Sequence, residues 1–157
     1  MRKNWLLLTI LVGFFAYWFS NAVLWIPWII NELFGIIMML ILAPTIWGFT
    51  SYYCLKKYSN RTFWTGSLYL ALIFLILAII FDWIFFGLYR NVPEQLYKPT
   101  TFAAYGLIFL IPFLITLIYR KRLDSITNTK INKVDLLVIG ISGIIFAAIT
   151  LISVQFW

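Results

Sequence analysis

Phe63 to Leu88 reads FWTGSLYLALIFLILAIIFDWIFFGL, an apolar run interrupted by one formal charge, Asp82. An α-helix rises about 1.5 Å per residue and bilayer hydrocarbon is about 30 Å thick, so about 20 consecutive apolar residues are enough to cross it. The run exceeds that length and predicts a membrane-spanning helix. Working outward in both directions, the same pattern recurs at about 5–30, 33–54, 102–119 and 134–156. The expectation is an all-α, polytopic transmembrane bundle of about five spans, forming a single domain over residues 1–157.

The composition agrees with this. The chain is 64% hydrophobic and 11% charged, whereas a soluble domain is about half apolar and about a quarter charged. Its net charge of +7 does not point to nucleic acid, because the basic residues sit in short gaps between apolar runs and not as a patch on a soluble face. Arg2, Lys3, Lys56, Lys57, Arg61, Arg120, Lys121, Arg122, Lys130 and Lys133 fall on one side of the predicted bundle, and only Arg90 and Lys98 on the other. Positively charged loops are held in the cytoplasm. The bias predicts a cytoplasmic N-terminus, an exterior C-terminus and residence in the plasma (inner) membrane. Arg120, Lys121, Arg122, Lys130 and Lys133 are placed to meet anionic lipid headgroups.

With no histidine and Cys54 as the one cysteine, His-based acid–base catalysis, zinc sites of the usual kind and thiol pairs are removed. No cofactor, metal or catalytic residue is expected, and the chain reads as a non-enzyme. The first run begins like a signal peptide, but Trp18, Trp25 and Trp28 are bulky where a cleavage site favours small residues. It is read as a span, its excess length accommodated by tilt or by an interfacial segment. Trp5, Trp28, Tyr52, Tyr53, Trp64, Tyr89, Tyr97, Tyr119 and Trp157 lie near predicted span ends and read as interfacial anchors.

Asp82 is the strongest candidate for function, because a carboxylate in hydrocarbon costs several kcal/mol unless it is paired, protonated or hydrated. Six residues before Leu88, it sits about 9 Å from the outer end of its span at helical rise. It reads either as an ion or substrate site, or as a group satisfied by Arg90, by Lys98 or by a Tyr or Thr of another helix. Tyr89, at i+7, lies on the same face and is placed to share that environment. Pro44 and Pro112 fall near the middles of the second and fourth runs, where each frees a carbonyl, and Thr45 is a local hydrogen-bonding group beside the first. Paired interruptions of this kind mark some transporter sites, but a packing kink, common in membrane helices, is the preferred reading. In the last run Gly140, Gly143 and Ala147 form a small-residue strip suited to close helix contact, within the chain or with another copy. Glu32, Glu94 and Lys98 read as exterior loop charges.

The stretch from about Leu77 to Leu117, with Phe81-Asp82-Trp83, Phe85-Phe86, Arg90-Asn91-Val92-Pro93 and Ala104-Tyr105-Gly106-Leu107, resembles small bacterial multi-span membrane proteins of unknown function. The resemblance covers about the first four spans. It implies a four-span unit with an acidic residue and aromatics in the third span, a proline-containing exterior loop and a Tyr-Gly in the fourth. The fifth span departs from that pattern, and no activity is implied.

Two functions follow from these residues. The scarcity of polar intramembrane groups favours a non-catalytic accessory or interaction subunit that recognises another membrane protein or itself. The alternative is a small oligomeric transporter or channel-like protein using Asp82 and the proline-bearing helices, for a lipid or other hydrophobic substrate. Five spans of one copy are expected to enclose little volume, which is why the alternative calls for a homo-oligomer.

Overall fold

A computed structural model describes residues 3–58, 62–125 and 130–155. Arg2 and Arg61, counted above for orientation, and Trp157 lie outside the described residues. Five helices make up the structure: α1 (Lys3–Ile30), α2 (Glu32–Lys56), α3 (Phe63–Asp82), α4 (Pro99–Asp124) and α5 (Lys133–Gln155). α3 continues as a π-helical segment, Trp83–Tyr89, followed by a 3-10 turn, Pro93–Tyr97. All five helices are long and apolar enough to span a membrane, and the chain is a membrane-embedded helical bundle.

The first run is one continuous helix through Pro27. It ends at Ile30, and Asn31 alone separates it from α2. The Asn31 side chain accepts hydrogen bonds from the Leu33 and Phe34 amides, satisfying donors that a helix start leaves open. So tight a hairpin needs a small residue at its closest approach. A methyl group added at Gly35 would lie 2.5 Å from Cδ2 of Trp28. α4 extends at both ends beyond the apolar run. Pro99 occupies its first turn, where a fixed φ favours initiation, and the buried Leu123 holds the charged last turn against the bundle.

α1, α2, α4 and α3 pack in that order around a ring, and α5 lies outside it against α1. Lipid gives no hydrophobic drive for helix association, so cohesion comes from close approach and interhelical hydrogen bonds, each about 0.6 kcal/mol on average. The small residues of α5 serve this within the chain. A methyl at Gly143 would meet Cδ1 of Phe14 at 2.5 Å, whereas one at Gly140 would reach only Leu11, at 3.7 Å. Phe146 stacks edge-on to Phe15 and Phe19, and Ala147 packs against the same core.

The ring is solid at one end and hollow at the other. In the solid half Trp5, Leu8, Trp47, Leu55, Leu70 and Phe74 are buried. The Trp5 indole donates to the Cys54 carbonyl at 2.9 Å, and Ser67 of α3 bonds both Thr116 and the Pro112 carbonyl of α4. Lys57 ties this end to the α4–α5 connection by donating to the Lys130 carbonyl. Arg120, Lys121, Arg122, Lys130 and Lys133 are all exposed there.

Candidate functional site

The hollow half encloses a cavity of about 830 Å³. A single copy thus carries a sizeable open cavity of its own, where five spans were expected to enclose little volume. Tyr17, Ser20, Asn21, Leu24, Trp25, Trp28 and Ile29 line it from α1, and Met39, Ala43 and Trp47 from α2. These α1 positions recur three to four residues apart along one helix face. The opposite walls are Ala78, Asp82, Phe85, Phe86 and Tyr89, then Ala104, Tyr105, Leu107 and Ile108. The floor is Trp47, which packs edge-on over Phe74 with ring centroids 5.1 Å apart.

Asp82 sits in the wall at 9% exposure. Tyr17 of α1 donates to its Oδ1 at 2.7 Å and Tyr105 of α4 donates to its Oδ2 at 2.7 Å. Of the partners considered for this acid, tyrosines of other helices are the ones present, and Arg90 and Lys98 are not. Three helices of the ring therefore meet on one carboxyl group. Each oxygen accepts one hydroxyl and retains a free lone pair.

Arg90 goes elsewhere. Its guanidinium lies 5.0 Å from the centroid of Trp25, 6.0 Å from Phe85 and 5.7 Å from Phe86, a cation–π box at the cavity's rim. Partial burial lowers its pKa from the ordinary arginine value, with Glu94 acting in the opposite direction. Glu32 and Lys98 also line the cavity, so these groups are part of its mouth and not merely loop charges.

Tyr89 lines the same cavity as Asp82, although the helix between them is not regular. Across Trp83–Tyr89 the chain makes wider turns, as in the bond from the Arg90 amide to the Phe85 carbonyl. Tyr89 lines the mouth while its hydroxyl donates to the Leu151 carbonyl of α5 at 2.8 Å. The turn then closes through Asn91, at φ 52°.

The proline sites do not join this cavity. α2 and α4 run on through Pro44 and Pro112. Thr45 is exposed on the outer face of α2, where it donates to the Ile41 carbonyl, and Pro112 is buried in the solid half beside Ser67. Pro44 and Thr45 follow the lining residue Ala43 directly and so lie on other faces of α2, whereas Pro112 is one turn past Ile108 on the same face of α4, below the cavity.

Sequence reasoning missed Tyr17, Tyr105 and Ser20. The available signal was placement, and for Tyr17 alone: it lies in the middle of its run, away from the span ends where belt tyrosines gather, whereas Tyr105 stands three residues into its run and reads as a belt residue. Ser20 is 6% exposed, and among the described residues its hydroxyl has no hydrogen-bond partner, although the residue lines the cavity. The Trp25 indole N–H, also on the lining, has none either.

Compared with known proteins, the chain matches no family model, no curated protein and no solved structure.

Proposed function

We propose that this chain is a non-catalytic membrane protein that binds one amphiphilic molecule in its hollow half, as a carrier or transporter-like protein. The observation that carries the reading is the cavity itself. Its size lies within the range of about 300–1,000 Å³ of small-molecule sites, and its mostly apolar wall bears a few convergent polar groups, as such sites do. Apolar walls suit an alkyl or aryl body, Asp82 and Ser20 supply polar contacts at depth, and Glu32, Arg90 and Lys98 supply charge at the mouth. The scarcity of polar groups that argues against a hydrophilic cargo does not argue against this one.

We place the chain in a bacterial plasma membrane with the solid end toward the cytoplasm, on the strength of the basic residues clustered there and the attraction of such clusters to anionic headgroups. A second reading, the interaction subunit, is favoured by α5. Outside the four-helix ring, it presents Leu137, Val138, Ile141, Ile144, Ile145 and Ile152 outward, a face available to another membrane protein or a second copy.

A photoactivatable alkyl amphiphile tests the first reading. The label is expected in peptides from 17–29, 78–90 and 100–108, and to be displaced by excess unlabelled amphiphile. Labelling confined to the outer face of α5, without displacement, sinks it.

A further inference from the structure

We infer that the polar head of the bound amphiphile is an ammonium group carrying N–H donors, seated between Asp82 and Ser20. This rests on the amphiphile reading above and names the chemistry that the cavity selects.

Asp82 is the acid of the cavity's interior, and among the described residues its hydrogen bonds come only from tyrosine hydroxyls. Arg90, the cation on the same chain segment, is committed to the rings of Trp25, Phe85 and Phe86. A carboxylate within an apolar wall, with a free lone pair on each oxygen, is completed by a positive donor. Ser20 provides the second observation. It follows Tyr17 by three residues on α1, one helical turn along the same face, so its hydroxyl is carried on the wall that brings Tyr17 to Asp82. That hydroxyl is buried and unpartnered, a state polar groups avoid unless something else satisfies them. An ammonium head seated at Asp82 keeps further N–H donors, and a rotation of the Ser20 side chain that turns its covered hydroxyl into the cavity lets one of them satisfy that group too. A quaternary head has no N–H to give and leaves Ser20 as it is. A neutral alcohol can bond either group but brings no charge to Asp82. Trp25, Phe85, Leu107 and Ile108 take the apolar body.

The same head occurs on a free hydrophobic amine and on an ethanolamine lipid. The experiment uses the full chain in phosphatidylcholine nanodiscs, titrated calorimetrically with 4-phenylbutylamine, 4-phenylbutanol and trimethyl(4-phenylbutyl)ammonium, with protein-free discs as the partitioning control. The amine should bind about tenfold or more tighter than the alcohol, the scale of one charge-assisted hydrogen bond, and Asp82→Asn should remove that difference. Ser20→Ala should weaken the amine by about threefold and leave the trimethyl compound unchanged. It deletes a hydroxyl that bonds nothing in the bundle, so it carries the test even if Asp82→Asn does not fold. Phosphatidylethanolamine in the discs lowers amine affinity if the head is a lipid's and leaves it unchanged if it is a free amine's; either result agrees with ammonium recognition.

Equal affinity for amine and alcohol overturns the inference, as does unchanged amine affinity in Ser20→Ala. If both ligands bind equally and Ala104→Trp, which fills the wall, abolishes both, the amphiphile reading stands without the ammonium. If no ligand binds, or Ala104→Trp changes nothing, the amphiphile reading itself fails.

Discussion

Tyr17 and Tyr105 reach Asp82 from α1 and α4, helices on opposite corners of the ring, so this one carboxyl group links two walls across it. Removing either hydroxyl strips a donor from a partly dehydrated acid, which costs about 1–3 kcal/mol. Tyr17→Phe should fall toward the upper part of that range, because Tyr17 is 4% exposed. Tyr105→Phe should cost less, since the half-buried Tyr105 stands closer to the open cavity. Thermal unfolding in mild detergent measures both, and a larger loss for Tyr105→Phe would contradict the burial argument. Ser20→Ala should leave the melting point of the unliganded protein unchanged or raise it by the equivalent of about 1 kcal/mol, since it removes an unsatisfied buried group. A clear fall would mean that the hydroxyl has a partner within the bundle.

Between elements, the small residues separate into those that permit contact and those that do not matter. Gly143→Ala should destabilise by about 1–3 kcal/mol, because Phe14 and the backbone of Phe15 leave no room for a methyl group and overpacking forces α5 off α1. Gly140→Ala should be near neutral. Comparable losses for the two would show that the α1–α5 contact differs from that described. At the end of the π segment Asn91 holds a left-handed conformation, which costs a residue with a Cβ about 1–2 kcal/mol and asparagine less. Asn91→Ala is therefore expected to lower the melting point and Asn91→Gly to preserve it. The π segment also marks where reading from periodicity stops. Asp82 and Tyr89 both line the cavity, but nothing in Trp83-Ile84-Phe85-Phe86-Gly87-Leu88 signals that the helix between them widens. Spans such as Glu32–Lys56 and Lys133–Gln155 were legible to within a few residues, because hydrocarbon thickness fixes their length.

For the molecule as a whole, sidedness is the open measurement. Cys54 is fully buried, so the native chain serves as an unlabelled background for introduced cysteines. In intact cells a membrane-impermeant maleimide should label Glu94→Cys and spare Ser125→Cys; the reverse pattern would invert the proposed orientation. The cavity was not legible from sequence for a physical reason. Its walls use the same Trp, Phe, Leu and Ile residues as the lipid-facing surface, and only their three-dimensional arrangement separates lining from exterior. Asp82 was conspicuous as a lone charge, but its partners Tyr17 and Tyr105 lie 65 and 23 residues away, where periodicity carries no information about contact.

Closure of one half by Trp5, Trp47, Phe74 and the Ser67–Thr116 bond makes the molecule a cup and not a tunnel. A guest supplied to the leaflet around Asn31 and Lys98 fills it without delay, while the same guest supplied to the opposite leaflet must first cross the bilayer by itself. Binding kinetics in asymmetrically loaded vesicles should therefore show a lag from one side only, and a mutation that unzips Ser67 from Thr116 is where that lag would first shorten.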